Sequence, residues 1–189
     1  MVNWAYNPRV TRAARLMQGG GVVAYPTEAV WGLGCDPSNP EAVFRLLALK
    51  DRSPQKGLIL LAANIDQLEP LLSGLDDLQR QRLRRTWPGP TTWLVPHHGK
   101  VPSWISGRFD SVAVRVTDHP IAAGLSQAFG GPIVSTSANP QGREPAGNPL
   151  RLRQYFPGEL DDIVPGPLGG RCQPSEIRDL LTGEVLRAG

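Results

Sequence analysis

The chain has 189 residues, of which 40% are hydrophobic and 20% charged, and its formal net charge is +3. This length supports one substantial core, and these proportions exclude a disordered or low-complexity chain. Because no apolar run approaches the roughly 18 residues of a membrane span, and the segment MVNWAYNPRV lacks the apolar core of a signal peptide, we expect one cytoplasmic domain over residues 1–189 without membrane contact.

Four runs with helical periodicity start at a proline. Three of these prolines follow an asparagine, and an asparagine N-cap with proline at the first helical position is a favoured helix start. The four predicted helices begin at Pro8, Pro40, Pro120 and Pro149. A further helix is predicted over the segment LQRQRLRRTW, whose arginines spread around the helix instead of forming one stripe.

Short β-rich runs lie between these helices, and several are bounded by glycine or proline. The tail SEIRDLLTGEVLRAG predicts two more strands joined at Thr182-Gly183. Helices interspersed with strands, ending in a hairpin, indicate an α/β fold with a sheet of mixed parallel and antiparallel direction. The internal strands are predicted at residues 21–26, 57–63, 91–96, 111–116, 131–137 and 162–166.

The segment YPTEAVWGLGCD follows the first predicted strand. Its proline stands at the strand end, before Thr27 and Glu28, and two glycines follow at Gly32 and Gly34. These glycines either let the backbone approach a ligand closely or serve a turn. The chain contains no phosphate-binding G-x-x-x-x-G-K-[ST] motif.

The loop KDRSPQK holds two of the three lysines in the chain, Lys50 and Lys56, with Arg52 between them. Cations near a helix C-terminus are favoured by the helix dipole, so one interpretation is a solvated cap. Three cations within one proline-containing loop repel each other, and a bound polyanion relieves that repulsion. The alternative interpretation is therefore a triphosphate site.

The strand SVAVRV alternates, so that Ser111, Ala113 and Arg115 share one face and the valines share the other. An arginine in so apolar a strand needs a carboxylate or phosphate partner, or else it faces water. The segment IVSTSANPQGR presents a comparable choice, because a hydroxyl-rich strand end is either a turn or a ligand site at a sheet edge. Its polar side chains are Ser135, Thr136, Ser137, Asn139 and Arg143.

Other catalytic classes have little support. Cys35 and Cys172 belong to no C-x-x-C motif, so we expect two reduced thiols and no protein-held metal. The chain offers no evident Ser-His-Asp or Cys-His set and no paired carboxylates in these motifs. An enzyme with this sequence is expected to act by positioning and stabilising a phosphoryl group.

Six segments together resemble the YrdC family in order and spacing, over nearly the whole chain. They are YPTEAVWGLGCD, LKDRSPQKGLIL, WPGPTTW, VAVRV, STSAN and PSEIRDLLTGEVLRAG. The resemblance is greatest to the short bacterial form, which lacks the extra C-terminal domain of longer relatives. It implies a twisted mixed sheet with flanking helices and a large, positively lined cavity. It also implies a nucleotidyltransferase that converts L-threonine, bicarbonate and ATP into threonylcarbamoyl-AMP and pyrophosphate for tRNA modification.

The resemblance further implies roles for particular residues. The family's K-x-R and S-x-N signature, taken as catalytic, falls on Lys50, Arg52, Ser137 and Asn139. These four are expected to hold ATP together with Lys56, Ser111, Arg143 and Arg187. Threonine is expected to contact Thr27, Arg115, Ser135 and Ser175. The chain departs from many relatives at Ala29 and Glu176, where they have threonine.

The resemblance also implies that Mg²⁺ arrives with ATP and that TsaD, TsaB and TsaE act downstream. In the mechanism that we expect, a threonine carbamate attacks the α-phosphorus of ATP while Lys50 and Arg52 stabilise the triphosphate. Arg115 would clamp the threonine carboxylate.

Two alternatives remain open from the sequence. The first is a non-catalytic RNA-binding module that uses the basic surface in tRNA or ribosome maturation, with binding that weakens steeply as salt rises. Its best feature is the RQRLRR segment, which carries Arg80, Arg82, Arg84 and Arg85. The second is a different carbamoyl or acyl transfer, since YrdC-like domains also occur inside carbamoyl-processing enzymes.

Overall fold

The computed structural model describes residues 3–189, and within that range nine strands form one sheet. The strands are β1 (Val23–Pro26), β2 (Trp31–Gly34), β3 (Ile59–Ala62), β4 (Thr91–Pro96), β5 (Ser111–Val116), β6 (Ile133–Ser137), β7 (Asp162–Ile163), β8 (Glu176–Asp179) and β9 (Val185–Arg187). The helices are α1 (Pro8–Gln18), α2 (Pro40–Leu49), α3 (Glu69–Leu72), α4 (Asp77–Thr86), α5 (Ser103–Ser106), α6 (Pro120–Phe129) and α7 (Pro149–Tyr155).

The four proline helix starts are confirmed. Asn7, Asn39 and Asn148 each accept a hydrogen bond at their side chain from a backbone N–H in the first turn of α1, α2 and α7. The cap of α6 is His119, whose ring accepts from Ala122 N. Each cap satisfies a donor that the helix start leaves free, and this explains why these positions begin helices.

The sheet order is β7-β1-β2-β6-β3-β5-β4-β8-β9. Its pairs are parallel at β7–β1, β3–β5 and β4–β8, and antiparallel at the other five contacts. The predicted mixed sheet and the terminal hairpin are therefore confirmed. Among the helices of residues 3–189, none is long and apolar enough to cross a membrane.

Strand β2 is an element that the sequence did not predict. Its residues, Trp31–Gly34, include both glycines of the YPTEAVWGLGCD segment. The turn interpretation of these glycines is wrong, because both pair with neighbouring strands. A Cβ atom on Gly34 would lie 2.6 Å from Val134 O and 2.8 Å from the ring of Tyr25. Glycine is needed at this position because the Val134 carbonyl oxygen and the Tyr25 ring occupy the space.

We expect Gly34→Ala to lower the free energy of unfolding by about 1–3 kcal/mol, the usual cost of overpacking a close-packed core. The matched control is Gly131→Ala, because a Cβ atom there meets nothing within 4 Å. That control should change the stability by no more than about 1 kcal/mol. Urea denaturation of both variants measures the difference, and equal stability would contradict this account of Gly34.

The core is divided between the two faces of the sheet. The larger cluster contains the three β5 valines together with apolar residues of α2 and α4. The smaller cluster contains Tyr25 and Leu61, packed against α1 and α6. Leu61 is in register with Arg115 on the adjacent strand, so Arg115 lies on the face of the smaller cluster. The part of this face that α1 and α6 leave uncovered is open to ligands.

Candidate active site

A cavity of about 610 Å³ lies on this open part of the sheet. Nine of the twelve residues that the family resemblance assigned to ATP or threonine line it, and they come from several segments between residues 27 and 187. They are Thr27, Arg52, Lys56, Ser111, Arg115, Ser135, Ser137, Ser175 and Arg187. The other three, Lys50, Asn139 and Arg143, are not among the lining residues in the part of the chain that the structure describes.

The cavity wall is strongly basic. Its cationic side chains are Arg52, Lys56, Arg115, Arg171 and Arg187. Within residues 3–189 the wall contains one carboxylate, that of Glu28. This excess of positive charge on a concave surface raises the local concentration of anions. The expected positively lined cavity is therefore confirmed, and it suits a polyanionic ligand.

The alternation of β5 explains the position of Arg115. Ser111 and Ala113, four and two residues before it, also line the cavity, whereas Val114 and Val116 of the other face lie in the core. The sequence left open whether Arg115 meets a carboxylate or water. In the structure its partner is a carboxylate, because Arg115 Nη2 lies 3.2 Å from Glu28 Oε2 and both side chains are buried.

Glu28 is a site residue that the sequence did not assign. Its carboxylate also accepts a hydrogen bond from the hydroxyl of Thr117. A single carboxylate at a strand end is weak evidence for a site, and no pattern in the sequence pairs it with Arg115. The pairing depends on the sheet bringing residues 28 and 115 together.

Lys50 lies beside the cavity and joins two loops. Its buried ammonium group donates to Ser137 O and, at 2.7 Å, to Asn139 O. Its backbone O accepts from Gln141 N at 2.7 Å. Burial, followed by the nearby charge of Arg52, lowers the pKa of Lys50 to about 8. The structure therefore places Lys50 in contact with the loop after β6, which it holds against the end of α2.

Arg52 and Lys56 are the cations of the KDRSPQK loop that line the cavity. Arg52 Nη2 donates to Gly57 O at 2.9 Å, which fixes the guanidinium group, and burial lowers the pKa of Arg52. Lys56 Nζ donates to Gln141 Oε1 at 2.9 Å. The loop after α2 and the loop after β6 are thus joined by Lys50 at one point and by Lys56 at another.

Asn139 organises the second of these loops. Its Oδ1 accepts from Ser137 Oγ at 2.6 Å, and its Nδ2 donates to Arg143 O at 2.7 Å. Arg143 itself is exposed. In this structure, therefore, Ser137 lines the cavity, Asn139 shapes the turn behind it, and the Arg143 side chain lies outside.

The terminal hairpin closes one side of the cavity. Arg187 Nη2 donates to Ser175 O at 2.6 Å. The hydroxyls of Ser175 and Thr92 are 3.0 Å apart, which links the hairpin to β4. The Glu176 carboxylate pairs with Arg178. Glu176 is not among the lining residues over 3–189.

The segment between β7 and β8 crosses the sheet close to Glu28. Gly169 N donates to Thr27 O at 3.0 Å, and Arg171 N donates to Glu28 O at 3.0 Å. The side chain of Arg171 lines the cavity and pairs with Asp118 at 3.0 Å. Arg171 is a second lining residue that the sequence did not identify, since its role depends on the path of this segment across the sheet.

The side chains of residues 3–189 include no group of three or more His, Cys, Asp or Glu arranged to hold a metal ion. The carboxylate of the cavity wall, Glu28, is already engaged with Arg115 and Thr117. Cys35 and Cys172 are free cysteines, the first buried and the second exposed.

Comparisons with known proteins find relatives over most of the chain. The Sua5_yciO_yrdC family model, described as "Telomere recombination", matches residues 15–189. A threonylcarbamoyl-AMP synthase of Cellvibrio japonicus is 63% identical over 187 residues, which are 99% of this chain and 99% of that protein. One of Pseudomonas aeruginosa is 60% identical over 95% of this chain and 96% of its own.

The solved structure of P. abyssi Sua5 complexed with L-threonine resembles the chain with a TM-score of 0.85 and 33% sequence identity. The match covers 91% of this chain and 51% of that longer protein. This chain thus corresponds to about half of P. abyssi Sua5.

Proposed function

The chain belongs to the Sua5/YciO/YrdC family, and we propose that it is an L-threonylcarbamoyladenylate synthase. This nucleotidyltransferase forms threonylcarbamoyl-AMP and pyrophosphate from L-threonine, bicarbonate and ATP, and its product serves the threonylcarbamoyladenosine modification of tRNA. One observation supports the assignment most directly. The cavity combines a basic wall for a triphosphate with a buried arginine among hydroxyl groups that suits an amino acid.

In this proposal the amino acid binds at the Arg115 end of the cavity. A guanidinium group can hold a carboxylate through two parallel hydrogen bonds, which fixes orientation as well as position. The hydroxyls of Thr27, Ser135 and Ser175 line the same cavity and offer donors and acceptors to the rest of the substrate. The threonine-bound structure of P. abyssi Sua5 supports an amino-acid site in this fold.

The triphosphate binds at the other part of the wall, where Arg52 and Lys56 lie. The positive charge there stabilises the charge that develops on the leaving pyrophosphate. Ser111, Ser137 and Arg187 complete the polar lining that the proposal gives to ATP. Lys50 and Asn139 contribute by holding the loop that carries Ser137, while Arg143 would have to turn inward to reach the nucleotide.

The proposed reaction depends more on positioning the two substrates than on proton transfer by a side chain. The threonine amine and bicarbonate give a carbamate and water, and a carbamate oxygen then attacks the α-phosphorus of ATP. Pyrophosphate leaves as the new P–O bond forms. Holding the two substrates in one cavity converts this encounter into an effectively unimolecular step. Among residues 3–189 the wall contains no histidine, and its carboxylate, Glu28, is already paired, which is consistent with such a mechanism.

We also propose that Mg²⁺ enters with ATP and screens the charge of its phosphates. The basic wall supports this, since it provides counter-charge for the phosphates but little that would hold a metal ion by itself. ATP as a substrate favours a cytoplasmic location. Because a mixed anhydride such as the product hydrolyses readily, we propose delivery to the downstream proteins TsaD, TsaB and TsaE.

The decisive experiment measures pyrophosphate release from ATP and Mg²⁺ with L-threonine, with L-serine and with no amino acid, each with and without bicarbonate. We expect release that requires both bicarbonate and an amino acid and is fastest with L-threonine. Folded protein that shows no threonine-dependent release would overturn the proposal. Binding to tRNA that is independent of threonine and weakens steeply with salt would then favour the RNA-binding alternative.

The structure gives the RNA-binding alternative less support than the sequence did. Arg80 is paired with Glu69 at 2.7 Å, and Arg82 Nη1 donates to Leu180 O at 2.7 Å. Two arginines of the RQRLRR segment thus have contacts within the protein, and they attach α4 to α3 and to the terminal hairpin. The basic residues that line a concave site lie elsewhere.

A further inference from the structure

Glu28 is held in place from both sides. One carboxylate oxygen, Oε1, accepts from the Thr117 hydroxyl, and that hydroxyl oxygen accepts from His119 N at 3.1 Å. The backbone oxygen of Glu28 accepts from Arg171 N. The side chain therefore has one orientation, set by the end of β5 and by the segment that crosses the sheet.

The other carboxylate oxygen, Oε2, points to Arg115. It lies 3.2 Å from Arg115 Nη2, yet both Glu28 Oε2 and Arg115 Nε are buried without a hydrogen-bond partner. These two unpartnered atoms belong to the same ion pair. Nε and Nη2 donating together to Glu28 would be the bidentate arrangement that arginine and carboxylate favour.

A guanidinium group offers separate edges to its partners. If Glu28 takes the edge formed by Nε and Nη2, the edge formed by Nη1 and the second Nη2 hydrogen is left for a ligand. Because the Arg115 side chain is 9% exposed and that of Glu28 is 5% exposed, neither can turn freely towards water. The direction of the free edge is thus set by Glu28.

Glu28 is poorly placed to take part in the reaction directly. Its Oε2 is covered by protein, and its Oε1 already accepts from Thr117. An arginine without this carboxylate would have a buried, uncompensated charge and several orientations open to it. The contribution of Glu28 therefore passes through Arg115.

We propose that Glu28 is a positioning residue that fixes the Arg115 guanidinium so that its free edge faces the substrate carboxylate. This inference rests on the proposed function, because it takes the amino-acid carboxylate as the ligand of Arg115. Its effect should be specific to the amino acid. Loss of the Glu28 charge raises KM for L-threonine and leaves KM for ATP nearly unchanged.

The first test is Glu28→Gln, which keeps the shape of the side chain and removes its charge. We expect KM for L-threonine to rise about tenfold or more, the equivalent of one charge-assisted hydrogen bond, with KM for ATP changed less than twofold. The preference for L-threonine over L-threoninol, which lacks the carboxylate, should fall by a similar factor. The control Glu69→Gln changes a carboxylate paired with Arg80 away from the cavity and should alter none of these values.

The second test measures coupling to Arg115. In an Arg115→Met background, Glu28→Gln should add no further loss of L-threonine selectivity, because the side chain through which it acts is gone. A full additional loss in that background would overturn the proposal, as would an equal rise of KM for both substrates in the single variant. Should Glu28→Gln fail to fold, Thr117→Val removes the donor to Oε1 and should raise KM for L-threonine alone.

A spectroscopic measurement separates this inference from the proposed function. The Nε–H resonance of Arg115 should be protected from solvent exchange in the wild-type protein and exchange faster in Glu28→Gln. That result would support the positioning role even if the wild-type protein released no pyrophosphate. Equal exchange in both proteins would overturn it, whatever the activity.

Discussion

Lys50→Met should lower the rate of threonine-dependent pyrophosphate release by about 10²-fold, because a small displacement of positioning groups is enough for a loss of this size. The ammonium of Lys50 donates to two backbone oxygens of the loop that carries Ser137. Methionine fills the same space but donates to neither. The loop then keeps only the backbone hydrogen bond from Gln141 N to the oxygen of residue 50 and the contact with Lys56, so Ser137 is held less firmly in the cavity wall.

The stability of this variant should fall less than its activity. The substitution leaves Asn139 O without its donor, which costs about 1–3 kcal/mol for a buried carbonyl, whereas Ser137 O still accepts from Asn139 N. Part of that cost is offset because methionine carries no charge to desolvate, and desolvation is what depresses the pKa of Lys50. We expect a net loss of about 1–3 kcal/mol in the free energy of unfolding, measured by urea denaturation beside the kinetic assay.

The other two lysines of the chain provide matched controls. Lys56→Met removes a cation that lines the cavity and should mainly raise KM for ATP. Lys100→Met removes an exposed ammonium that donates to Pro70 O and Ser73 Oγ outside the cavity, and its kinetics should match the wild type. If Lys50→Met retained wild-type turnover, the attachment of the loop by Lys50 would have no part in catalysis.

Arg115→Met should raise KM for L-threonine about 10²-fold or more, since a bidentate charge-assisted pair with the substrate carboxylate is lost. The variant also leaves Glu28 as a buried carboxylate without its cation, and breaking such a pair typically costs about 3–5 kcal/mol. Initial rates over a range of L-threonine and ATP concentrations separate the two effects.

The interpretation of Arg115→Met depends on the protein being folded under assay conditions. Circular dichroism and a denaturation curve at the assay temperature establish this. Arg80→Met is a suitable control, since it also removes an arginine from an ion pair, here with the exposed Glu69. An unchanged KM for L-threonine in a folded Arg115→Met protein would contradict the assignment of Arg115 to the substrate carboxylate.

The sequence predicted those parts of the fold that depend on local chemistry. Residues close together in sequence determine the Asn-Pro helix starts, the alternating strands and the terminal hairpin, and the structure contains all three. Strand β2 was missed because two of its four residues are glycines, which are unfavourable in strands unless a neighbour needs the space. Here the neighbours are the Val134 carbonyl oxygen and the Tyr25 ring, and no local pattern identifies them.

For the candidate site, too, local patterns could be predicted from the sequence and long-range contacts could not. Strand alternation placed Ser111 and Arg115 on one face, and both line the cavity. The contacts of Lys50 and Glu28 could not be predicted, because each depends on a partner that is distant in sequence. Lys50 and Ser137 are 87 residues apart, and so are Glu28 and Arg115. Charge indicated that Lys50 belongs near the site but not which oxygens it contacts.

The pairing of β8 with β4 also bears on how the protein folds. Thr92 and Ser175, whose hydroxyls are in contact, are 83 residues apart in sequence. Contacts between such distant residues are entropically costly to form, and chains that depend on them fold slowly. The cavity is complete only after the hairpin has joined the sheet. Recovery of enzymatic activity after dilution from denaturant would therefore report the last stage of chain assembly, later than the appearance of helical signal.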